Sequence, residues 1–554
     1  MSIGVALEWI RQQPGFNTDL TENLPSIVSD NSGNVYVAYE TQGITSGQTS
    51  IGQSDIAVFK MNSSGVLQWI KQTNTMNTSL SEQKPSIAIN STGDYIYITY
   101  YTTGIVSGQT NIGSSDIVVI KMATSDGNLQ WAKEQPNMNT VATDFISRIA
   151  VSKSNSIYVT YTTRGVTSGN TNSGLLDVEN IVVFKMDTSG NLIWIKQNSF
   201  MNTSLNDSES SIVVSTAGVV DSIYISYQTV GTTSGNSSSG QNDIAIFKLD
   251  ASGTLIWIKQ NTASNTNQSD IVPRVAIDST GSFLYTVYYT FGTVSGGTFS
   301  GVSDIVISKM NTTTGDLLWV RQQTVMNTSN FDYYPDITVD IYGDIYVTYQ
   351  TEGTVSGGTH LGSSDIVIFK MNAAGDLQWI YQQPTINTIT LEESPSITVS
   401  PAGDIYITYI TAGTTSGQTN TGSRDIVVLK LSQSAPPASN SFAAKVNPYL
   451  ALGNVLVFTK ATVDALVAGT ALPAQTTVSW ALSGVLAGSF LRDLGRSITT
   501  PVSTTNRLAA YRFQRVQLIG GSGSEGVGGS PADVDAWQTG WICTWAASGV
   551  APVF

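Results

Sequence analysis

Few residue types in this chain could do chemistry, and their scarcity limits what that chemistry could be. The 554 residues include one histidine, His360, and one cysteine, Cys543. A Ser-His-Asp relay could draw only on His360, which lies in a polar stretch (GTVSGGTHLGS, from Gly353). A lone cysteine cannot form an intrachain disulfide, and with a lone histidine it cannot build a Cys/His zinc site. Carboxylates remain. Asp55, Asp116, Asp243, Asp304, Asp365 and Asp425 recur in one frame. Calcium needs six to eight oxygens, usually from carboxylates clustered in sequence. One aspartate at the head of each β-type run reads instead as a strand cap. The pair Glu392-Glu393 lacks the apolar setting that tunes a general acid. This reading assigns no catalytic residue, no metal site and no cofactor.

A second set is made of amides. Asn-Thr recurs at Asn17, Asn77, Asn139, Asn202, Asn265, Asn327 and Asn387. Asn, Gln, Ser and Thr offer neutral donors and acceptors suited to sugars. These seven asparagines are therefore the candidate ligand-binding ring. The competing reading is structural, with each amide closing an Asx-turn in its own loop.

The spacing of these residues comes from a repeat. Tryptophans recur at Trp9, Trp69, Trp131, Trp194, Trp257, Trp319 and Trp379, separated by 60, 62, 63, 63, 62 and 60 residues. A second frame precedes the last six, as in SDIVVIKM from Ser115, and a seventh copy starts at Arg424 (RDIVVLKL). Each unit holds four β-type runs rich in branched and aromatic residues, with Gly, Asn or Asp at the tight turns. Four strands per repeat describe a β-propeller. The orphan segment at Leu7 to Gln12 (LEWIRQ) and the three strands from Pro395 onward are complementary parts of one blade. Joining them gives seven blades and leaves no open edge. The tryptophans are expected to be structural, packed between blades.

From Ser364 to Thr411 the run SDIVIFKMNAAGDLQWIYQQ…SPSITVSPAGDIYITYIT resembles the bacterial-type β-propeller repeat called SBBP. The shared pattern is an Asp-led strand, a D/N-x-x-G turn, an L-x-W strand, an IAVD strand and a G-N/D-x-Y-V-T strand. It recurs seven times over about residues 1–432. The resemblance implies the fold and no activity, because such repeats occur in many contexts. Asn180 departs from it, standing where the other units have Asp.

Composition and organisation complete the expectation. Charged residues are 12% of the chain and the net charge is −14, which argues against binding nucleic acid. The opening MSIGVALEWIRQQ is not a signal peptide, and the apolar stretch Tyr449–Phe458 is too short to span a bilayer. The expected domains are a propeller over 1–431, a linker over 432–448 and a C-terminal β-rich domain over 449–554, for anchoring or oligomerisation. The segment LRDLGRSI…YRFQRVQLIGGSGSEGV…GWICTWAA resembles C-terminal modules of structural proteins in large DNA viruses. The function expected first is a non-enzymatic structural or interaction protein on a virion or extracellular surface. Its partners would be other structural proteins of the assembly, reached through the C-terminal domain, or further copies of itself. The alternative is a multivalent lectin for host-surface glycans on the long-loop face. A hydrolase or lyase at the channel mouth ranks last, because enzyme propellers break their symmetry at the active site and these repeats look uniform.

Overall fold

The computed structural model describes residues 5–433, apart from 107, 172–176 and 216–219, and five strands beyond them. Every regular element among the described residues is a β-strand. Two compact units are defined: Val5–Met371 with Leu377–Gln433, and Met1–Gly4 with Asn372–Asp376 and Ser434–Phe554. The larger is a seven-bladed β-propeller, each blade a four-stranded antiparallel meander. In blade 2 the strands run Glu82–Ile89, Tyr95–Thr102, Asp116–Ala123 and Leu129–Lys133, from the channel outward.

Burial explains the strand sequences. The second and third strands are covered on both faces by adjacent blades. Val35–Thr41 and Asp365–Met371 are buried at every residue, so they read as near-continuous apolar runs instead of alternating ones. The outer strand is only partly buried. Both tyrosines of each Tyr-x-x-Tyr pair are fully buried. The first lies 6.0–6.3 Å from the tryptophan of its own blade, as in Tyr36–Trp69 and Tyr97–Trp131. The second donates its hydroxyl to a carbonyl of the preceding inter-blade loop, as Tyr161 does to Met138 at 2.7 Å. In a blade sandwiched on both sides, opposite faces are equally interior.

The ring is closed as the repeat implied. Val5–Arg11 pairs antiparallel with Asp425–Gln433, placing Leu7 opposite Leu431 and making the N-terminal segment the outer strand of blade 7. Trp9 then reaches blade 1, donating Nε1–H to Ser63 O at 3.0 Å. Its ring lies over Gly65, where a Cβ would stand 2.8 Å from it and φ is +74°. Glycine is required there on both counts.

Each inner strand is broken by a bulge near its start. One residue per blade takes a left-handed φ of 46–55°: Leu24, Lys84, Ile146, Glu209, Val272, Tyr334 and Ser394. None is glycine, and such a conformation costs on the order of 1 kcal/mol each. The bulge turns the following side chains along the channel wall.

The C-terminal unit contains a five-stranded antiparallel sheet of Thr477–Trp480, Val455–Phe458, Thr539–Ala546, Tyr511–Leu518 and Leu491–Thr499, in that order. Most of the expected linker over 432–448 falls outside the described residues. No described helix is long and apolar enough to cross a membrane.

Candidate functional site at the channel mouth

The recurrent asparagines lie on the long-loop face but point inward. Asn77 is 2% exposed. Its Oδ1 accepts the Ile56 N–H at 2.7 Å and its Nδ2 donates to Ile56 O at 2.9 Å. Asn17, Asn139, Asn202, Asn265, Asn327 and Asn387 repeat this clamp on Ile426, Ile117, Ile181, Ile244, Ile305 and Ile366. Both ends of each amide are occupied by backbone of the preceding blade, so these residues hold the loops. Trp69, Trp131, Trp194 and Trp257 bridge to the next blade as Trp9 does, through Nε1–H to Thr124, Thr188, Ala251 and Thr312 carbonyls. Trp319 and Trp379 pack on Tyr285 and Tyr346. Beside Asn77 an open depression of about 600 Å³ is lined by Ile51, Thr78, Leu80, Ile105 and Asn111, without a charged side chain.

A ring of buried acids went unnoticed in the sequence, and one of its members, Glu392, has the buried setting that was denied to it there. Four residues after each Asn-Thr threonine stands Glu22, Glu82, Asp144, Asp207, Asp270, Asp332 or Glu392, all with no exposed surface. The motif N-T-x-x-x-[D/E] holds in every blade and was legible, but only its first two positions were read. In blade 2 the Glu82 carboxylate accepts Thr78 N–H at 2.9 Å, Thr78 Oγ1 at 2.7 Å and Thr102 Oγ1 at 2.6 Å. Burial raises the carboxyls of Glu22, Asp144, Asp207, Asp270 and Asp332 to about 7, with the threonine bonds opposing it. The recurrent third-strand aspartates lie close by. Asp55 Oδ2 takes the Gln72 side-chain amide at 2.9 Å, and the same bond recurs at Asp243, Asp304, Asp365 and Asp425. The third-strand aspartates thus tie down the loops of their own blades, and the inner-strand acids hold the inter-blade loop against the second strand.

The repetition fails where the inner strands pass their bulges. The residue after the acid is Asn23, Gln83, Phe145, Ser208, Ile271, Tyr333 or Glu393. Three positions further along stand Ser26, Ser86, Arg148, Ser211, Arg274, Asp336 and Ser396. These positions in blades 3, 5 and 6, with Glu209 on the bulge of blade 4, bring together Arg148, Arg274, Asp336 and Glu209. Burial and the neighbouring Arg274 lower Arg148 to about 10, while Glu209 and Asp336 act in the opposite sense. Asp336 Oδ2 accepts Ile397 N–H and Ser396 Oγ, both at 2.9 Å.

An aromatic group borders this cluster. Tyr289, Phe291, Phe331, Tyr333 and Tyr334 contact one another at centroid distances of 5.3–6.4 Å, mostly edge to face. Tyr334 is 48% and Phe331 37% exposed, so ring surface faces solvent. Tyr333 donates to Glu352 Oε1 at 3.0 Å. Burial, then Tyr334 and Glu209, raise the Tyr289 hydroxyl well above its ordinary range. His360 is elsewhere, 3.5 Å from Asp365 in a 2–3 loop. Among the described residues no group of three or more His, Cys, Asp or Glu is arranged to hold a metal ion.

The fold and the channel define the chain as a seven-bladed β-propeller whose symmetry is broken at one mouth. No family model matches it, and no curated protein matches it in sequence. Among solved structures it is similar to the Penicillium chrysogenum α-L-arabinanase, at 12% identity and a TM-score of 0.40, covering 78% of this chain and 98% of that one. It is similar to the NanB sialidase of Streptococcus pneumoniae at 11% identity and a TM-score of 0.36, covering 77% and 70%. A protein of unknown function from Dyadobacter fermentans aligns at 13% identity and a TM-score of 0.39, covering 66% and 97%. These likenesses concern the fold.

Two expectations are corrected here. The chain was read as non-enzymatic, and as a structural or interaction protein, because its repeats look uniform. The solved propellers similar to it include a sialidase and an arabinanase. The uniformity itself ends at the channel mouth. Identical strand frames had concealed the few positions that differ.

Proposed function

We propose that this propeller is a glycoside hydrolase that binds its substrate over the channel mouth on the long-loop face. The observation that carries the reading is the local failure of sevenfold repetition, which gathers Glu209, Asp336, two arginines and five aromatic rings in one place. Aromatic faces stack against the C–H surfaces of sugar rings, and Tyr334 and Phe331 offer such surface. Glycosidic cleavage commonly uses two carboxyl groups, one to protonate the leaving oxygen and one to act as base or nucleophile. Asp336 suits the second role, because two donors fix the orientation of its carboxylate. Glu209, on the left-handed bulge residue of blade 4, supplies the first. We also keep the SBBP-type reading of the blades, supported by the recurrent strand, turn and Leu-x-Trp frame.

The test is release of reducing ends from a panel of aryl glycosides and polysaccharides by the full chain. Turnover is expected, falling about 10²–10⁴-fold in Glu209→Gln and in Asp336→Asn with ligand affinity retained. Tyr334→Ala should raise KM more than it lowers kcat. A wild-type protein inert on the whole panel would overturn the hydrolase reading. Sugar binding without turnover would leave the mouth as a glycan-binding site.

A further inference from the structure

We infer that the channel throat holds an anionic group of the ligand, a carboxylate or sulfate carried on a sugar, between Arg148 and Arg274. The sugar part of this inference rests on the reading above. The two arginines occupy the same register position on the inner strands of blades 3 and 5. Their equivalents show where that position faces. Ser26 Oγ accepts the Ile87 N–H and Ser211 Oγ the Val275 N–H, both at 3.3 Å across to the next blade, and Asp336 takes Ile397 in the same way. Side chains at this position therefore run along the channel wall. Serine ends at the neighbouring strand, whereas an arginine carries its charge past it.

Neither guanidinium is neutralised there. A guanidinium has five N–H donors. Arg148 Nη1 donates to Ser147 O at 3.2 Å and Arg274 Nη1 to Pro273 O at 2.9 Å, each the carbonyl of the preceding residue. Among the described residues neither arginine stands within 4 Å of a carboxylate, whereas Arg164 and Arg424 are paired with Glu179 and Glu393. Two cations facing one confined, half-buried space repel each other, and removing them from water is costly without a counter-charge. An oxyanion between them satisfies both forks and matches guanidinium geometry, planar for carboxylate and tetrahedral for sulfate. Glu209 and Asp336 lie near enough to be felt without pairing, which leaves both carboxylates available to the substrate.

The experiment is calorimetric titration of the full chain with matched oligosaccharides that are neutral, uronic-acid-bearing or sulfated, at low and high salt. One or both acidic forms should bind at least about tenfold more tightly than the neutral form, with the advantage shrinking in salt. Which acidic form wins separates carboxylate from sulfate. Arg148→Met and Arg274→Met should each erase the preference while melting as the wild type does, and Arg→Lys should restore part of it. Equal binding of neutral and acidic sugars would overturn the anion site and leave the carbohydrate reading intact. If no sugar binds, the carbohydrate reading falls, and inorganic sulfate then tests the arginines alone. Thermal protection by sulfate that is lost in both Met variants supports the site, and absence of protection overturns it.

Discussion

Glu134 shows what one residue does to a repeated site. In the other six blades its place is held by glutamine, and in five of them that amide donates to the third-strand aspartate. Glu134 Oε2 accepts the Val106 N–H at 2.7 Å, but Oε1 is buried without a partner. Burial, reinforced by the charge of Asp116, raises this carboxyl from 4.5 to about 7. A group with its folded pKa raised contributes stability below its unfolded pKa, and that contribution is lost as pH rises through about 7. Glu134→Gln should therefore raise the melting temperature at pH 8.5 by about 2 °C or more and change it less at pH 5. A pH-independent shift in melting scans would refute the account. The asparagine clamps give a second case. Asn327→Ala strips partners from the buried Ile305 N–H and carbonyl and should cost about 2 kcal/mol in chemical denaturation. A substitution without effect on stability would mean that these amides are not structural.

At the scale of elements, the N-terminal strand closes the ring and the inner-strand bulge shapes the channel. Removing residues 1–11 would expose the edge of Asp425–Gln433 and strip the Trp9 ring from blade 1. An unpaired strand of that length invites self-association. The truncated chain should elute as higher oligomers in size-exclusion chromatography and unfold at lower denaturant, and a monomer of unchanged stability would contradict this. Trp9→Ala is the milder version, at about 2 kcal/mol for a half-buried indole that also loses its bond to Ser63.

Across the whole molecule, seven buried inner-strand acids make pH a global variable. All seven are raised by burial, five of them to about 7. By the same linkage, stability is greatest where they stay protonated and declines from about pH 4 to pH 7. The net charge of −14 at pH 7 acts in the same direction. Melting temperature should fall between pH 5 and pH 8, and a flat or rising profile would show that the acids ionise freely in the fold.

Blade number, strand order and ring closure follow from the sequence alone. Each depends on a local pattern copied seven times, and two orphan segments can combine in only one way. The β-rich character of the C-terminal segment was legible as well, from local composition and not from the repeat. Burial of both tyrosines per pair was not, because a strand's period does not say that both faces are interior. The acid ring stood in the sequence as N-T-x-x-x-[D/E], yet its raised carboxyls arise only where packed blades exclude water. The channel cluster was least legible. Arg148, Glu209, Arg274 and Asp336 are about sixty residues apart, and each looks like ordinary variation at a strand start. Only closure of the ring turns that variation into a common site, because it brings the bulge and the position just past it in every blade around a single axis.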